Sequence, residues 1–405
     1  MTSEWNIVPL RNLVRYISKG IAPSYADKES KATIRVLNQK CNRNFQISYT
    51  ESRLHDTAKK KVPSERYLKP HDILINSTGK GTAGRIAQID YVPCDTTVDG
   101  HMIILRANDK VTQMYLAYAL KSHQWEVLQL DEGSTGQTEL NRERLLDEIM
   151  ICYPTLKSDQ ERVVAVLEEL DEKIRINTAV NDNLLALATA LFDQAIAENT
   201  ASLLMKSIGD IADVKGGKRL PKGVNLQTIP NNHPYIRVRD LNDVCIVQLS
   251  SDFEYVDDET QKGISKYIVH ASDVVVSIVG TIGLTTLVHE SLDMANLTEN
   301  CVKITNIKEV SPEYLLLFLR SMAGQNAIRQ GTVGAVQAKL PIKNVQAITI
   351  PIIPESQCNE LYRRLETIFL AISTRLSESA SLIQIRDSLL PRLISGEVDV
   401  SNIQI

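Results

Sequence analysis

The chain is written twice, and this constrains its fold more than any other feature. Asp72-Ile-Leu-Ile-Asn-Ser-Thr-Gly79 is answered by Asp273-Val-Val-Val-Ser-Ile-Val-Gly280, and Gly81-Thr-Ala-Gly84 by Gly280-Thr-Ile-Gly283 at an offset of 199. Tyr115, Leu116 and Leu120 return as Tyr314, Leu315 and Leu319 at the same offset. Gly133-Ser-Thr-Gly136 returns as Gly331-Thr-Val-Gly334 at 198, and Pro154 and Gln160 return as Pro351 and Gln357 at 197. Short matches in one order at a nearly constant offset mark a duplication. Two copies of about 200 residues are too few and too long for a solenoid. Each copy is therefore a domain-sized unit.

Within a unit the hydrophobic period changes once. Ile73-Leu-Ile, Met102-Ile-Ile-Leu105, Val274-Val-Val and Ala347-Ile-Thr-Ile350 are short apolar or β-branched runs that predict strands, whereas Tyr115–Leu120 and Tyr314–Leu319 predict short helices. The second part of each unit steps by four and three. Val163, Leu167, Leu170, Ile174, Asn177, Asn181, Leu184, Ala188, Leu191 and Ala195 form one seam. Leu361, Leu365, Ile368, Ile372, Arg375, Ser379, Leu382, Arg386, Leu389 and Leu393 form the other, each 198 residues later. Sustained spacing of this kind is the coiled-coil signal. Each stretch predicts ~35 residues of helix, or ~50 Å, and Ser158 followed by Glu161 is the expected capping box of the first. Polar seam residues in the same middle heptad of both helices are expected to fix register or partner choice.

The expected fold class is α+β: two globular mixed α/β domains separated by two long antiparallel coiled-coil helices, related by an internal pseudo-two-fold repeat. The boundaries read as domain 1 over 1–152, spacer helix 1 over 153–202, domain 2 over 203–350 and spacer helix 2 over 351–405.

Charge narrows the function classes. Net charge is +3 over 1–152, −5 over 153–202, zero over 203–350 and −2 over 351–405. An autonomous nucleic-acid binder shows a strongly basic domain, and none of these segments does. That pattern still allows base reading by a subunit whose partners supply phosphate contacts. No apolar run is long enough for a membrane span. The first twenty residues carry charges where an export signal needs apolar ones. Six cysteines without a CxxC pair fit reduced cytosol rather than a zinc site or disulfide framework.

A duplicated globular-plus-long-helix unit carrying these motifs resembles the specificity subunit of type I restriction-modification systems. The residues that carry the resemblance are Asp72-Ile-Leu with Gly81-Thr-Ala-Gly84, and Asp273-Val-Val with Gly280-Thr-Ile-Gly283. They are joined by the helix entries Tyr153-Pro-Thr-Leu-Lys-Ser-Asp-Gln160 and Ile350-Pro-Ile-Ile-Pro-Glu-Ser-Gln357, and by the closing Ser388-Leu-Leu-Pro-Arg-Leu-Ile-Ser-Gly396. The departure is Thr155-Leu156, where the family has a second Pro or apolar residue. The resemblance implies two target-recognition domains, each reading half of a split site on double-stranded DNA. It implies paired helices that act as a ruler and dock two DNA adenine methyltransferase subunits, with restriction subunits beyond them. It further implies no catalysis and no cofactor on this chain, S-adenosylmethionine, ATP and Mg²⁺ belonging to partner subunits, and a cytoplasmic location. Because intervening residues differ between the copies, an asymmetric target is expected. The rival reading is a coiled-coil protein-interaction scaffold without DNA reading, favoured by the acidic helices.

Candidate DNA-facing residues follow from what each side chain can bond. Arg35, Asn38 and Gln39 in the first copy, and Arg237, Arg239 and Asp240 in the second, follow expected strands; Arg suits guanine edges, and Asn or Gln adenine. Lys80, Thr82 and Arg85 accompany the first glycine turn and Thr281 the second, where backbone can approach phosphate. Lys19, Lys218, Arg219 and Lys222 are basic neighbours of the opening loops, and Thr135, Gln137 and Gln337 lie in glycine-containing loops before the long helices. The competing reading for all of them is turn chemistry and surface ion pairs. The expected partner seam is Leu167, Leu170, Ile174, Asn177, Leu184 and Leu191 with Leu365, Ile368, Ile372, Arg375, Leu382 and Leu389.

Catalytic motifs are missing. Gly79-Lys80-Gly81 only imitates a P-loop, since Gly81 stands where Ser or Thr must hold Mg²⁺. Asp171-Glu-Lys173 falls on a helix face. No HExxH, G-x-S-x-G, Cys/His metal spacing or Asn/Asp-Pro-Pro-aromatic tetrapeptide occurs.

Overall fold

A computed structural model describes residues 4–79, 81–132, 138–241, 244–334 and 337–400, the side chains of Glu355 and Ser356 excepted. The chain divides into two units, Met1–Glu172 with Leu382–Ile405, and Lys173–Ser381.

In the first unit, β1 (Trp5–Pro9) leads into β2 (Val14–Lys19). A small sheet holds β3 (Thr33–Leu37) and β4 (Arg53–Asp56). The main sheet adds β5 (Ile73–Asn76) and β6 (Ile86–Gln88), and after β7 (Thr96–Val98) of the small sheet comes β8 (Met102–Ala107). The main sheet runs β2-β8-β5-β6, all antiparallel, with Ile103 opposite both Lys19 and Ile75. β5 and β8 are buried along their whole length, which is why they read as continuous apolar runs rather than alternating ones. Helix α1 (Gln113–Ser122) starts at Thr112, whose hydroxyl accepts from the Tyr115 amide. β9 (Met150–Pro154) returns to pair with β1.

The second unit repeats this plan. β10 (Leu204–Ser207) and β11 (Asp213–Gly216) open it, and β12 (Tyr235–Ile236) and β13 (Ile246–Val247) follow. Then come β14 (Val274–Ser277), β15 (Thr285–Val288), β16 (Asn296–Leu297) and β17 (Cys301–Thr305). The main sheet runs β11-β17-β14-β15-β13. Helix α2 (Pro312–Arg320) is capped by Ser311 through the Tyr314 amide and carries Pro at its first position, where no amide hydrogen is needed. β18 (Thr349–Ile352) pairs with β10.

The repeated motifs each have a structural cause. His71 and Ser272 both adopt positive φ (66° and 67°). The following aspartate closes that turn, Asp72 accepting from the Lys69 amide (2.8 Å) and Asp273 from the His270 amide (2.9 Å). Across the sheet each aspartate meets a cation, but from different register positions: Arg106 continues the pairing opposite Asp72, whereas Lys303 pairs with Val275, two residues short of the position opposite Asp273. Arg106 grips Asp72 through two bonds of 2.7 Å, whereas Lys303 stands 3.9 Å from Asp273 and donates to the Ile268 carbonyl. The repeated tyrosines are buried, with the Tyr115 hydroxyl donating to the Cys152 carbonyl (2.9 Å) and the Tyr314 hydroxyl to that of Pro351 (2.7 Å).

The two long helices span Lys157–Glu198 and Glu355–Ile394, each crossing from one unit to the other. All twenty seam positions are buried or half-buried. Within the first unit, contacts of Cys152 with Ser395 and of Asp171 with Arg386 give an antiparallel sense. Within the second, Ser202 with Gln357 and Asn177 with Ser379 do the same. Buried Asn177 donates to Glu378 (2.8 Å) and Ser379 (3.2 Å), so this polar pair spans the seam. The buried oxygen of Asn181 has no hydrogen-bond partner among the described residues, and Arg375 turns back to the Ala371 carbonyl. Two local expectations are corrected. Ser158 does not cap the first helix, which starts a residue earlier at Lys157; buried Gln160 instead holds the entry, donating to Lys110 and Pro154 carbonyls and accepting from the Thr112 amide. The last β run is Thr349–Ile352, because Ala347 still belongs to a helical turn.

Candidate nucleic-acid interface

One rim of each unit gathers segments far apart in sequence. In the first unit it consists of the end of β2, the β7–β8 turn, the exit of β5 and the strand at Glu139. Gly20 donates to the Met102 carbonyl (3.0 Å), Ile21 to Val98 (2.9 Å), Met102 to Asp99 (3.2 Å) and Ser77 to His101 (2.8 Å). In the second unit Gly217 donates to Cys301 (3.0 Å), Lys218 to Leu297 (2.8 Å), Cys301 to Thr298 (3.1 Å) and Ile278 to Asn300 (2.8 Å). The same four backbone bonds recur. A Cβ on Gly20 would lie 2.1 Å from the Val98 carbonyl, and one on Gly217 2.0 Å from that of Thr298, so this close approach demands glycine at both sites.

On this shared backbone the side chains differ. The first rim carries Lys19 ion-paired to Glu139, and Thr78 within 2.7 Å of His101 Nδ1. The register places Gly216, Lys339, Val279 and Asn300 at the corresponding positions, since the Thr78–Glu139 bridge is repeated by Val279–Lys339. Gln39 and Thr82 border the first rim: a Cβ on Gly79 would lie 2.2 Å from the Thr82 hydroxyl and 3.6 Å from the Gln39 amide. The Gly79 amide donates to the Thr138 carbonyl (3.1 Å). Lys80, Thr135 and Gln137 lie outside the described residues. Gln337 and Lys222 are exposed, and Thr281 sits in the second glycine turn, its carbonyl accepting from Ser277.

Both glycine turns are clamped from behind, which sequence inspection missed. Gln124 donates to the Gly84 carbonyl (2.8 Å) and Gln325 to that of Gly283 (3.0 Å). The glycines at 79, 81, 84, 280 and 283 all have positive φ, so the turn itself accounts for them.

Most basic candidates are already held by carboxylates. Arg35, which lies inside β3 rather than after it, pairs with Glu29. Arg219 pairs with Glu299 (2.6 Å). Arg237 is tied to Glu254 and Asp240, and Arg239 reaches the same two acids at 3.7 and 3.4 Å. Burial pushes the Asp240 carboxyl up to about 6, against the pull of Arg239. Asn38 is a turn residue, accepting from the Lys40 amide and donating to the Glu51 carbonyl (both 2.8 Å). Lys218 lies over the Tyr267 ring at 5.4 Å. Arg85 is half-buried, and its carbonyl accepts from Asn42 and Asn76. Arg219, Arg237 and Arg239 line a 400 Å³ cleft with Asn300, Thr298 and Glu299.

Among the described residues, no group of three or more His, Cys, Asp or Glu could hold a metal ion, and no helix is long and apolar enough to cross a membrane.

The family model for the type I restriction modification DNA specificity domain matches residues 2–186 and again 204–380. The HindI type I restriction enzyme specificity subunit of Haemophilus influenzae is 26% identical over 197 residues, 48% of this chain and 41% of that protein. The MjaIX specificity subunit of Methanocaldococcus jannaschii is 23% identical over 433 residues, covering 99% of this chain and 95% of the relative. In fold, the crystal structure of the type I restriction-modification S subunit from M. genitalium aligns over 97% of this chain and 96% of its own, with a TM-score of 0.55 at 14% identity. With the family's domain matched twice over most of its length, the chain belongs to the type I restriction-modification DNA specificity family.

Proposed function

We propose that this chain is the non-catalytic specificity subunit of a type I restriction-modification complex, reading a bipartite, asymmetric site on double-stranded DNA. One observation carries the reading: a single rim framework occurs twice, held by the same backbone bonds, and presents different side chains each time. Two readers of one design with unlike faces suit two unlike half-sites.

The ion-paired arginines support a division of labour with partners. A guanidinium already held by a carboxylate releases few counterions on meeting phosphate, so the chain alone binds DNA weakly. Two adenine methyltransferase subunits, and restriction subunits where present, supply the remaining contacts and the chemistry in the cytoplasm. S-adenosylmethionine, ATP and Mg²⁺ belong to those partners. The long helices dock the methyltransferases and set the number of unread base pairs.

The test is to express the chain with an adenine methyltransferase partner and map methylated adenines across a genome. The expected result is one split motif with unlike halves, absent when this chain is omitted. An identical methylation pattern without the chain would contradict the reading.

A further inference from the structure

We propose that one framework position, His101 in the first unit and Asn300 in the second, is the base-reading position of each rim. The second unit demands adenine there, and the first accepts either purine. The inference rests on the DNA-reading function proposed above and names residues that sequence inspection did not select.

Residues 101 and 300 each end the turn that enters an interior strand of the main sheet, β8 or β17. Each gives its carbonyl to the strand-exit amide at 2.8 Å, and the following residue closes the turn onto Asp99 or Thr298. Backbone bonds on both sides fix where the side chain starts, so the two units present that side chain from the same place.

The chemistry follows from what each side chain has left to offer. The Asn300 amide forms no hydrogen bond among the described residues and opens into the cleft flanked by Arg219, Arg237 and Arg239. An unengaged amide offers a donor and an acceptor together, the pair that matches adenine N6 and N7 in the major groove. His101 is exposed, and its Nδ1 is engaged by the Thr78 hydroxyl at 2.7 Å. With that hydroxyl donating, Nε2 carries the proton and presents one donor. A single donor suits the N7 acceptor that adenine and guanine share. Val279 stands where Thr78 does, so the second rim cannot orient a ring in this way.

The experiment maps methylation directed by the complex carrying Asn300→Ala or His101→Ala. Asn300→Ala should relax one adenine in one half-site by roughly 5- to 150-fold in discrimination, leaving the other half unchanged. His101→Ala should relax one purine position in the other half. A mapped motif of unchanged stringency in either variant overturns the proposal. So does a uniform loss at every position by a folded, assembled variant, since that marks a phosphate contact. If a variant fails to fold, the wild-type complex is tested on 7-deazaadenine substituted at each mapped adenine. Weakened binding at one adenine of the second unit's half supports the assignment, and unaffected binding at all of them overturns it. A wild-type complex that directs no split motif defeats the underlying reading instead.

Discussion

The two units seat their domains on the long helices by different chemistry. Asp171 and Arg386 in the first unit occupy the repeat positions of Phe369 and Ala188 in the second. In the first, Asp171 accepts from Arg386 (2.6 Å) and from the Tyr118 hydroxyl (2.9 Å), with Lys121 at 3.5 Å. Burial would raise the Asp171 carboxyl, but Lys121 and Arg386 hold it below its ordinary value; burial pushes the Lys121 ammonium down. In the second, Phe369 and Ala188 are buried in one apolar cluster with Phe192 and Tyr314, whose rings meet edge-on at 4.9 Å. The same backbone plan thus tolerates an ionic or an apolar seat. Register and caps specify the architecture, while the contact chemistry is free to diverge.

Removing a buried side chain from each kind of contact should separate the two units most strongly. Phe192→Ala should cost about 3–5 kcal/mol, read by chemical unfolding with hydrogen exchange localised to 203–381. Asp72→Ala should cost a similar ~3–5 kcal/mol in the first unit, because Arg106 and Asp72 are 7% and 3% exposed and the guanidinium, though it keeps the Glu65 and Tyr67 carbonyls, loses the carboxylate that balances its charge. Asp273→Ala should cost clearly less, since Lys303 stands 3.9 Å from Asp273 and makes no direct bond like the two that join Arg106 to Asp72. Equal losses at the two aspartates would show that the difference between the two cations is immaterial.

A smaller effect is expected at the ionic seat. Asp171 is one-third exposed, so Asp171→Ala should cost about 1–3 kcal/mol, below the fully buried case. The joint change Asp171→Leu, Arg386→Leu and Lys121→Met removes all three charges of the seat and should fall within about 1 kcal/mol of wild type. Unfolding midpoints of the single and joint variants decide whether the seat needs its charges.

The mildest contrast is pH. The Asp240 carboxyl, raised to about 6, binds a proton more readily folded than unfolded. Stability of the second unit is therefore lowest above about pH 6 and rises by at most ~3 kcal/mol as pH falls towards 4. Asp171 is shifted the other way, so its contribution is present at neutral pH and is lost only as pH falls below about 4. Hydrogen exchange at pH 7.5 and 5 should show tighter protection around Asp240 and no change around Asp171.

Much of the fold was legible because it rests on local patterns. The offset repeat, the apolar runs of β5 and β14 and the unbroken heptads report period and composition, which sequence displays directly. The candidate site was less legible. Arg219 and Arg237 looked available, but Glu299 and Glu254 reach them from 80 and 17 residues away, a pairing settled by tertiary folding, whereas Glu29 and Asp240 lie close in sequence to Arg35 and Arg239. His101 and Asn300 carry no motif, and a pairing of the two copies strand by strand would have exposed them. The glycine turns were found, but the Gln124 and Gln325 clamps behind them were not, since each arrives from a helix about forty residues away.

The central claim, one framework with two independent readers, is tested most directly by exchanging residues 203–350 for the corresponding domain of another family member. Methylation would then be mapped in the assembled complex. The account predicts that one half of the recognised motif changes while the other half stays as it was. Simultaneous change in both halves, or in neither, would contradict it.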